Sequence, residues 1–432
     1  MPLAPMSHHE TLAYLYGLER FGMVFGLENI SRLLQALGDP HLNLKVIHVG
    51  GTNGKGSVSA MMASVLQEEG YRVGLYTSPH LVSFTERIQI NGIEIAWEEV
   101  VRLTDLLRRR VEEEEIPQRF TFFDFTTALA IYYFSQQGVD VAILEVGLGG
   151  RLDSTNIVNP LIAVITNVDK DHFQILGERI EDIAIEKAGI VKQGVPLVSG
   201  VTQPEVIEIL EELCRKHEAP MRLQGRDFWG ERIAPRTLNF HGHTWRLEDI
   251  RLGLPGSYQI ANATVALGGL EALGERGYGV EEESIYRGLA AVRWPGRLEI
   301  VQHAPQILLD GAHNPAAARS LREALQEEFD YRHLYMVMGI MEDKEVSVIV
   351  AELAPLASVF VATRPHNPRA MSPYRVAEIA QDYCKAVTVM EEVSEGVEYL
   401  QKVAREDDLI VVTGSLFTVG EARDRLLSKG QI

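Results

Sequence analysis

Apolar residues along this chain gather into short, β-branched runs, separated by longer stretches in which they recur every third or fourth position. The runs "LKVIHV" (44–49), "RVGLYT" (72–77), "VDVAILEV" (139–146) and "LIAVITNV" (161–168) are short for helices and read as buried strands. Between them the spacing turns helical. Val58, Met61, Met62, Val65 and Leu66 follow the first run at helical intervals, and "DFTTALAIYYFSQQG" reads as a further helix. Strand alternating with helix predicts a mostly parallel sheet covered on both faces.

The same alternation resumes after residue 300, with "QILLD" (306–310), the helical "AAARSLREALQEEF", "HLYMVMGIM" (333–341), "SVFVAT" (358–363) and "DLIVVTGS" (408–415). The Pro295-Gly296 pair in "AVRWPGRLEI" breaks any helix there and marks a domain boundary, giving domains 1–296 and 297–432. The charged "RRRVEEEE" (108–115) reads as a solvated helix end.

Composition narrows the function classes. At 432 residues, 46% of them hydrophobic, the chain can bury a large core and divide into two or three domains. A formal net charge of -19 argues against a general binder of phosphate backbones, so no nucleic-acid partner is expected. Cys214 and Cys384 are the whole cysteine complement, too few for a disulfide framework or a cysteine-rich metal site. No signal peptide and no membrane-spanning run is legible, so a cytoplasmic protein without a membrane partner is expected.

Candidate chemistry starts at "GGTNGKGS" (50–57), between a strand and a helix. Glycines let backbone N–H groups approach phosphates, a central Lys neutralises their charge, and the helix N-terminus adds partial positive charge. Gly50, Gly51, Gly54 and Gly56 crowd around Lys55, yet Gly56 intervenes before Ser57 and Val49 stands where the strict motif has its first glycine. Nucleotide phosphate binding is the expectation. Glu145 ends the third strand, where an acid often holds magnesium, and His172 in "TNVDKDHFQILG" follows the fourth. Three strand ends then face one crevice, where open α/β sheets bind ligands. Lys187 in "IEDIAIEKAGI", taken alone, reads as an ordinary exposed lysine on an amphipathic helix.

Eight stretches occur in one order: "GTNGKGS", "YTSPHLVSFTERIQING", "LEVGLGGRLDSTN", "DHFQILG", "IEKAGIVK", "RWPGRLE", "LDGAHNP" and "VTGSLF". Together they closely resemble the folylpolyglutamate synthase and dihydrofolate synthase family of the ATP-dependent Mur ligase superfamily, whose phosphate loop carries Gly after Lys. The resemblance implies an α/β fold: an N-terminal phosphate-loop domain with a mostly parallel sheet, and a smaller Rossmann-like C-terminal domain. It implies ATP-driven activation of a pterin carboxylate as an acyl phosphate, attacked by the amine of L-glutamate. The implied substrates are dihydropteroate, reduced folates or both.

The residues carried over by the resemblance are these. Gly51, Thr52, Asn53, Gly54, Lys55, Gly56 and Ser57 match the phosphate cradle. Ser57, Ser78 and Glu145 match neighbours of one magnesium, and Glu145, His172 and Lys187 a second, with Lys187 carbamylated to supply oxygen ligands. Asn262, Arg297 and Asp310 match residues that hold adenine, phosphates and ribose. His313 and Ser415 are the choices for the incoming glutamate; Lys55, His172, Lys187 and His313 form the expected catalytic set. Thr121, Phe123 and Asp153 match a dihydropteroate pocket, although Phe120, Phe122, Phe123 and Phe125 could equally be core. A monovalent cation is a further cofactor left open, with no residue assigned to it, and a monomer is expected. Other readings are a folylpolyglutamate synthase without the dihydropteroate activity, a Mur-type ligase acting on a nucleotide-linked precursor, a GTPase or kinase suggested by "TNVDKD", and a non-catalytic sensor. The GTPase reading leaves the second domain unexplained.

Overall fold

A computed structural model describes residues 6–18, 26–114, 116, 120–171, 176–177 and 179–428. The first sheet is built from β1 (Val46–Gly50), β2 (Val73–Tyr76), β3 (Ile88–Ile90), β4 (Ile93–Glu94), β5 (Val141–Glu145), β6 (Ile162–Ile165), β7 (Leu197–Ser199) and β8 (Met221–Leu223). Their spatial order is β4-β3-β2-β5-β1-β6-β7-β8. From β2 to β8 every pairing is parallel, and the β2–β3–β4 edge is antiparallel.

The apolar runs are continuous because both faces are covered. Ile47, Val49, Ile143 and Val164 pack on the helices Lys55–Glu68 and Tyr258–Gly274. Their neighbours Val46, Ala142 and Leu144 point the other way, into the core that includes the helix Phe122–Gln136. Successive residues of a strand face opposite sides of the sheet, so a strand buried on both sides loses the polar alternation of a half-exposed one.

A small antiparallel sheet follows: β9 (Trp229–Ala234), β10 (Thr237–His241) and β11 (Arg246–Arg251) in the order β11-β10-β9. Leu238, Phe240, Leu247 and Ile250 cover the helix Tyr258–Gly274, while most of β9 is exposed. With its apolar residues confined to one thin face, this sheet lacks the dense runs that reveal the others. The last sheet holds β12 (Glu299–His303), β13 (Gln306–Leu309), β14 (Leu334–Met338), β15 (Val359–Arg364), β16 (Val387–Glu392) and β17 (Leu409–Thr413), ordered β12-β13-β17-β14-β15-β16. It is parallel apart from its β12–β13 edge, and its central strands are again sided on both faces. The mostly parallel α/β architecture expected from the hydrophobic pattern is therefore present in both halves. Among the described residues, no helix is long and apolar enough to cross a membrane.

The helix behind the phosphate loop is fixed by close backbone packing. A Cβ added to Gly288, in the helix Glu282–Ala291, would lie 2.6 Å from Val65 Cα and 2.7 Å from Val65 N. Neither backbone can yield without moving its helix. Gly288→Ala is expected to destabilise the N-terminal part by about 1–3 kcal/mol, the usual cost of overpacking. A lowered urea midpoint would show it, and an unchanged midpoint would mean that the two helices separate freely.

Candidate functional site

The phosphate loop is shaped by what presses on it. Gly51 (φ 138°) and Gly54 (φ 81°) occupy conformations that side chains resist. A Cβ at Gly51 would meet Thr166 Oγ1 at 2.0 Å, and one at Gly54 would meet Asn262 Oδ1 at 2.3 Å. Thr52 N donates to Asn167 O (3.0 Å), and Asn53 N to Asn167 Oδ1 (2.9 Å). The loop after β6 thus holds the loop after β1, as the register demands: Gly50 stands opposite Ile165, and Val49 opposite Glu145.

A cavity of about 580 Å³ opens at these strand ends. Its N-terminal wall includes residues 51–57, Ser78, Glu145, Gly147, Leu148, Asp171, Lys187 and Asn262. The opposite wall includes Arg297, Asp310, His313, Lys344 and Ser415. The structure therefore brings together, in one cleft between the two large sheets, every described nucleotide, metal and glutamate candidate named from the sequence. His172 lies outside the described residues.

Two lysines converge on one carbonyl. Lys55 Nζ donates to Gly51 O (3.2 Å) and Thr52 O (3.0 Å), and Lys187 Nζ donates to Gly51 O (3.0 Å). Lys187 is 4% exposed, so the exposed lysine suggested by its local sequence is corrected. Its helix, Ile180–Ala188, is pinned against the glycine-rich 147–150 segment, where Gly150 would clash with Glu186 O and Lys187 O if it carried a Cβ. Burial, reinforced by the nearby Lys55 charge, pushes the Lys187 amine down to about 7.

Glu145 is 5% exposed and accepts a hydrogen bond from Ser78 N at 3.2 Å. Burial raises its pKa, against the pull of Lys55 and of that hydrogen bond. Asp310 is also buried and raised, with Arg297 opposing, and it accepts from Leu298 N (3.0 Å) and Ala312 N (2.9 Å). Asn262 Nδ2 donates to Gln259 Oε1 (2.8 Å), whose Nε2 reaches Ser57 Oγ (3.3 Å). His313 Nδ1 stands 2.8 Å from Gly311 O, and Ser415 Oγ accepts from Thr418 N at 3.1 Å.

Residues overlooked in the sequence join the two walls. Asp171 Oδ1 accepts from Lys344 Nζ at 2.7 Å, and its Oδ2 is 3.6 Å from His313 Nε2. Asn314 Nδ2 donates to Asn53 Oδ1 (2.9 Å) and Asp171 Oδ2 (3.3 Å), while its Oδ1 caps the helix Pro315–Glu327. Asp171 adjoins His172 and Asn314 lies inside "LDGAHNP", so two of the three sat within stretches already singled out. Lys344 in "MEDKE" looks like an ordinary solvated charge and offered no signal.

The pterin candidates sit behind the rim and do not line the cavity. Thr121 caps the helix Phe122–Gln136: its Oγ1 accepts from Asp124 N (3.0 Å) and donates to Asp124 Oδ2 (2.9 Å). Phe123 is partly buried with its ring directly against Gly147, whereas Phe120 and Phe125 are core. Asp153 is 7% exposed and bonded within its own loop. Among the described residues no three His, Cys, Asp or Glu side chains converge on a metal position. That is compatible with magnesium, which is commonly held by one or two carboxylates together with substrate phosphates and waters; buried Glu145, with Ser57 and Ser78 lining the same cavity, offers such oxygen donors.

A glycine-lined loop with two lysines, faced across one cleft by the arginine, aspartate and histidine of a second α/β unit, defines an ATP-dependent carboxylate–amine ligase of the Mur type. Residues 49–270 match the Mur ligase middle domain, and residues 296–416 the Mur ligase glutamate ligase domain. The chain is 35% identical to the dihydrofolate synthase/folylpolyglutamate synthase of Bacillus subtilis, over 97% of this chain and 99% of that one. The crystal structure of a Thermotoga maritima folylpolyglutamate synthase superposes with a TM-score of 0.86 at 39% identity, covering 98% of this chain and 97% of that one. The E. coli FolC in complex with DHPP and ADP gives 0.88 at 30% identity, covering 97% and 98%. The chain belongs to the folylpolyglutamate synthase/dihydrofolate synthase family.

The buried amine carries a pH signature. Lys187 titrates at about 7 in the folded chain, against 10.5 as an ordinary lysine. Between those values the unfolded chain binds more protons than the folded one, so this residue's contribution to stability rises with pH across that window. In carbon-dioxide-free buffer, wild-type stability relative to Lys187→Met is expected to increase from about pH 7 to about pH 9. Urea titrations of both proteins would measure it; a flat difference would place Lys187 in water.

Proposed function

We propose that this chain adds L-glutamate both to dihydropteroate and to reduced folates, through an acyl phosphate formed at the expense of ATP. The observation that carries the reading is the single cleft in which the phosphate loop, Lys55 and Lys187 face Arg297, Asp310 and His313. A carboxylate oxygen attacks the γ-phosphorus and ADP leaves; the glutamate amine, having lost its proton, attacks the acyl carbon and phosphate leaves. Reactants of like charge must be held together throughout, which calls for fixed cations in a site screened from water. Lys55 and Arg297 serve that purpose from opposite walls.

In this reading residues 51–57 cradle the phosphates, Asn262 meets adenine, Asp310 binds ribose, and His313 with Ser415 receives glutamate. Magnesium would be held by Ser57, Ser78 and Glu145 at one position and by Glu145, His172 and carbamylated Lys187 at another, where it would neutralise the phosphate oxygens. A neutral amine is the form that attacks carbon dioxide, so the depressed Lys187 favours carbamate formation near neutral pH. Residues 1–296 would then carry ATP and pterin, and residues 297–432 glutamate, in a monomer. The Asp171–Lys344 pair joins the two walls of the cleft, and holding the walls together would limit hydrolysis of an acyl phosphate.

Glutamate-dependent ADP release with ATP and magnesium should appear with both 7,8-dihydropteroate and tetrahydrofolate. Activity with tetrahydrofolate alone would restrict the enzyme to polyglutamylation, and silence with both would defeat the proposal. Lys187→Ala should lower turnover by about a hundredfold or more, a loss expected when transition-state charge is left unbalanced, while nucleotide affinity falls far less. Near-normal turnover of that variant would rule out the carbamate.

A further inference from the structure

The short turn Ser154–Ile157 lies just past the glycine-rich rim of the cavity and joins a hydrogen-bond chain that no role above uses. Asp153 Oδ2 accepts from Gly147 N (3.0 Å) and Leu148 N (2.9 Å), and its Oδ1 accepts from Thr155 N (3.0 Å) and Thr155 Oγ1 (2.5 Å). A carboxylate offers about four acceptor sites, so its capacity is filled from inside the protein.

The chain continues into the sheet. Thr155 Oγ1 has one hydrogen, and it goes to Asp153. In its 2.8 Å contact with His48 Nε2 the hydroxyl must therefore accept, which makes His48 the Nε2–H tautomer. His48 Nδ1 then keeps a bare lone pair, and among the described residues it has no hydrogen-bond partner although the residue is fully buried. An orphaned ring nitrogen in mid-strand is unfavourable, and an apolar side chain would suit β1 better if packing were all that mattered. Burial pushes this imidazole down to about 3, with Lys192 adding to the effect, so the ring is a neutral donor.

Gly147 and Leu148 are the residues that Asp153 holds, and both line the cavity. The Phe123 ring lies on Gly147, so close that a Cβ there would meet Phe123 Cζ at 2.6 Å. We propose that His48 and Thr155 are positioning residues for the acceptor end of the cleft: acting through Asp153, they fix the Gly147–Leu148 backbone against Phe123. Asp153 on this view fastens the wall beside the pterin position. The assignment of that wall to the acceptor rests on the ligase reading above and on the family resemblance that puts Phe123, packed on Gly147, at a dihydropteroate pocket.

His48→Leu keeps the bulk and removes the donor, whereas His48→Gln can return an N–H toward Thr155. In His48→Leu the KM for dihydropteroate or tetrahydrofolate is expected to rise roughly tenfold, as when a positioned group shifts, with the KM for ATP nearly unchanged. His48→Gln should recover most of the loss. Equal losses in both variants, or an unchanged acceptor KM in His48→Leu whatever its unfolding midpoint, would overturn the proposal. If His48→Leu does not fold, Thr155→Val carries the same kinetic test.

Long-range 1H–15N spectra give a readout independent of catalysis. They should find His48 as the Nε2–H tautomer in wild type and a displaced Nε2 signal in Thr155→Val; an Nδ1–H tautomer or an unmoved signal would break the chain. Absence of acceptor-dependent ADP release by wild type would defeat the ligase reading and with it the role at the acceptor wall. The hydrogen-bond chain would still stand or fall on the spectra.

Discussion

Everything at this site depends on withdrawing ionisable groups from water at the carboxyl ends of buried parallel strands. Parallel register sets Val49 beside Glu145 and Gly50 beside Ile165, so the loops leaving β1, β5 and β6 emerge side by side. Charged groups gathered around those loops, from the strand ends, the Ile180–Ala188 helix and the opposite wall, lose hydration that protein dipoles only partly replace. Lys187 responds with a depressed pKa, Glu145 and Asp310 with raised ones, each against a neighbouring charge or N–H that limits the shift. A site strained in this way is ready for a ligand that supplies both phosphate oxygens and cations.

The second sheet system completes the balance. Arg297 and Asp310 come from the opposite wall, and the lattice of Asp171, Lys344, Asn314 and Asn53 makes the phosphate loop part of the contact between the walls. A change in the separation of the two halves must therefore be felt at Asn53, one residue before Gly54. Positioning of nucleotide and positioning of the second wall are coupled through side chains, without any long relay.

Much of this was legible because a strand buried on both faces must be apolar throughout, and a phosphate loop must be rich in glycine. The runs around Val46, Val141 and Ile162 mark the sheet, and "GGTNGKGS" marks its mouth. The small β9–β11 sheet escaped because its apolar residues, such as Leu238 and Phe240, are few and separated by partly exposed polar positions. Lys187 was named by the family resemblance, but its burial escaped for the opposite reason: its helix has the composition of a surface helix, and tertiary packing against residues 147–150 buries the amine. Thr121 and Asp153 show a third case. A motif can name a residue without saying whether its oxygens face the ligand or the backbone, and here they cap a helix and fasten a loop.

The two lysines that share the Gly51 carbonyl have a kinetic corollary. A nucleotide phosphate entering this loop would not find a bare cation at Lys55; it would have to compete with the two backbone oxygens already holding it. Binding then becomes an exchange of one acceptor for another, and its free energy is the small difference between two large attractions. The Gly51 and Thr52 carbonyls stand by to reclaim the Lys55 ammonium as the phosphates depart. A change of partner at Lys55, more than capture by a free cation, is what this arrangement offers an incoming phosphate.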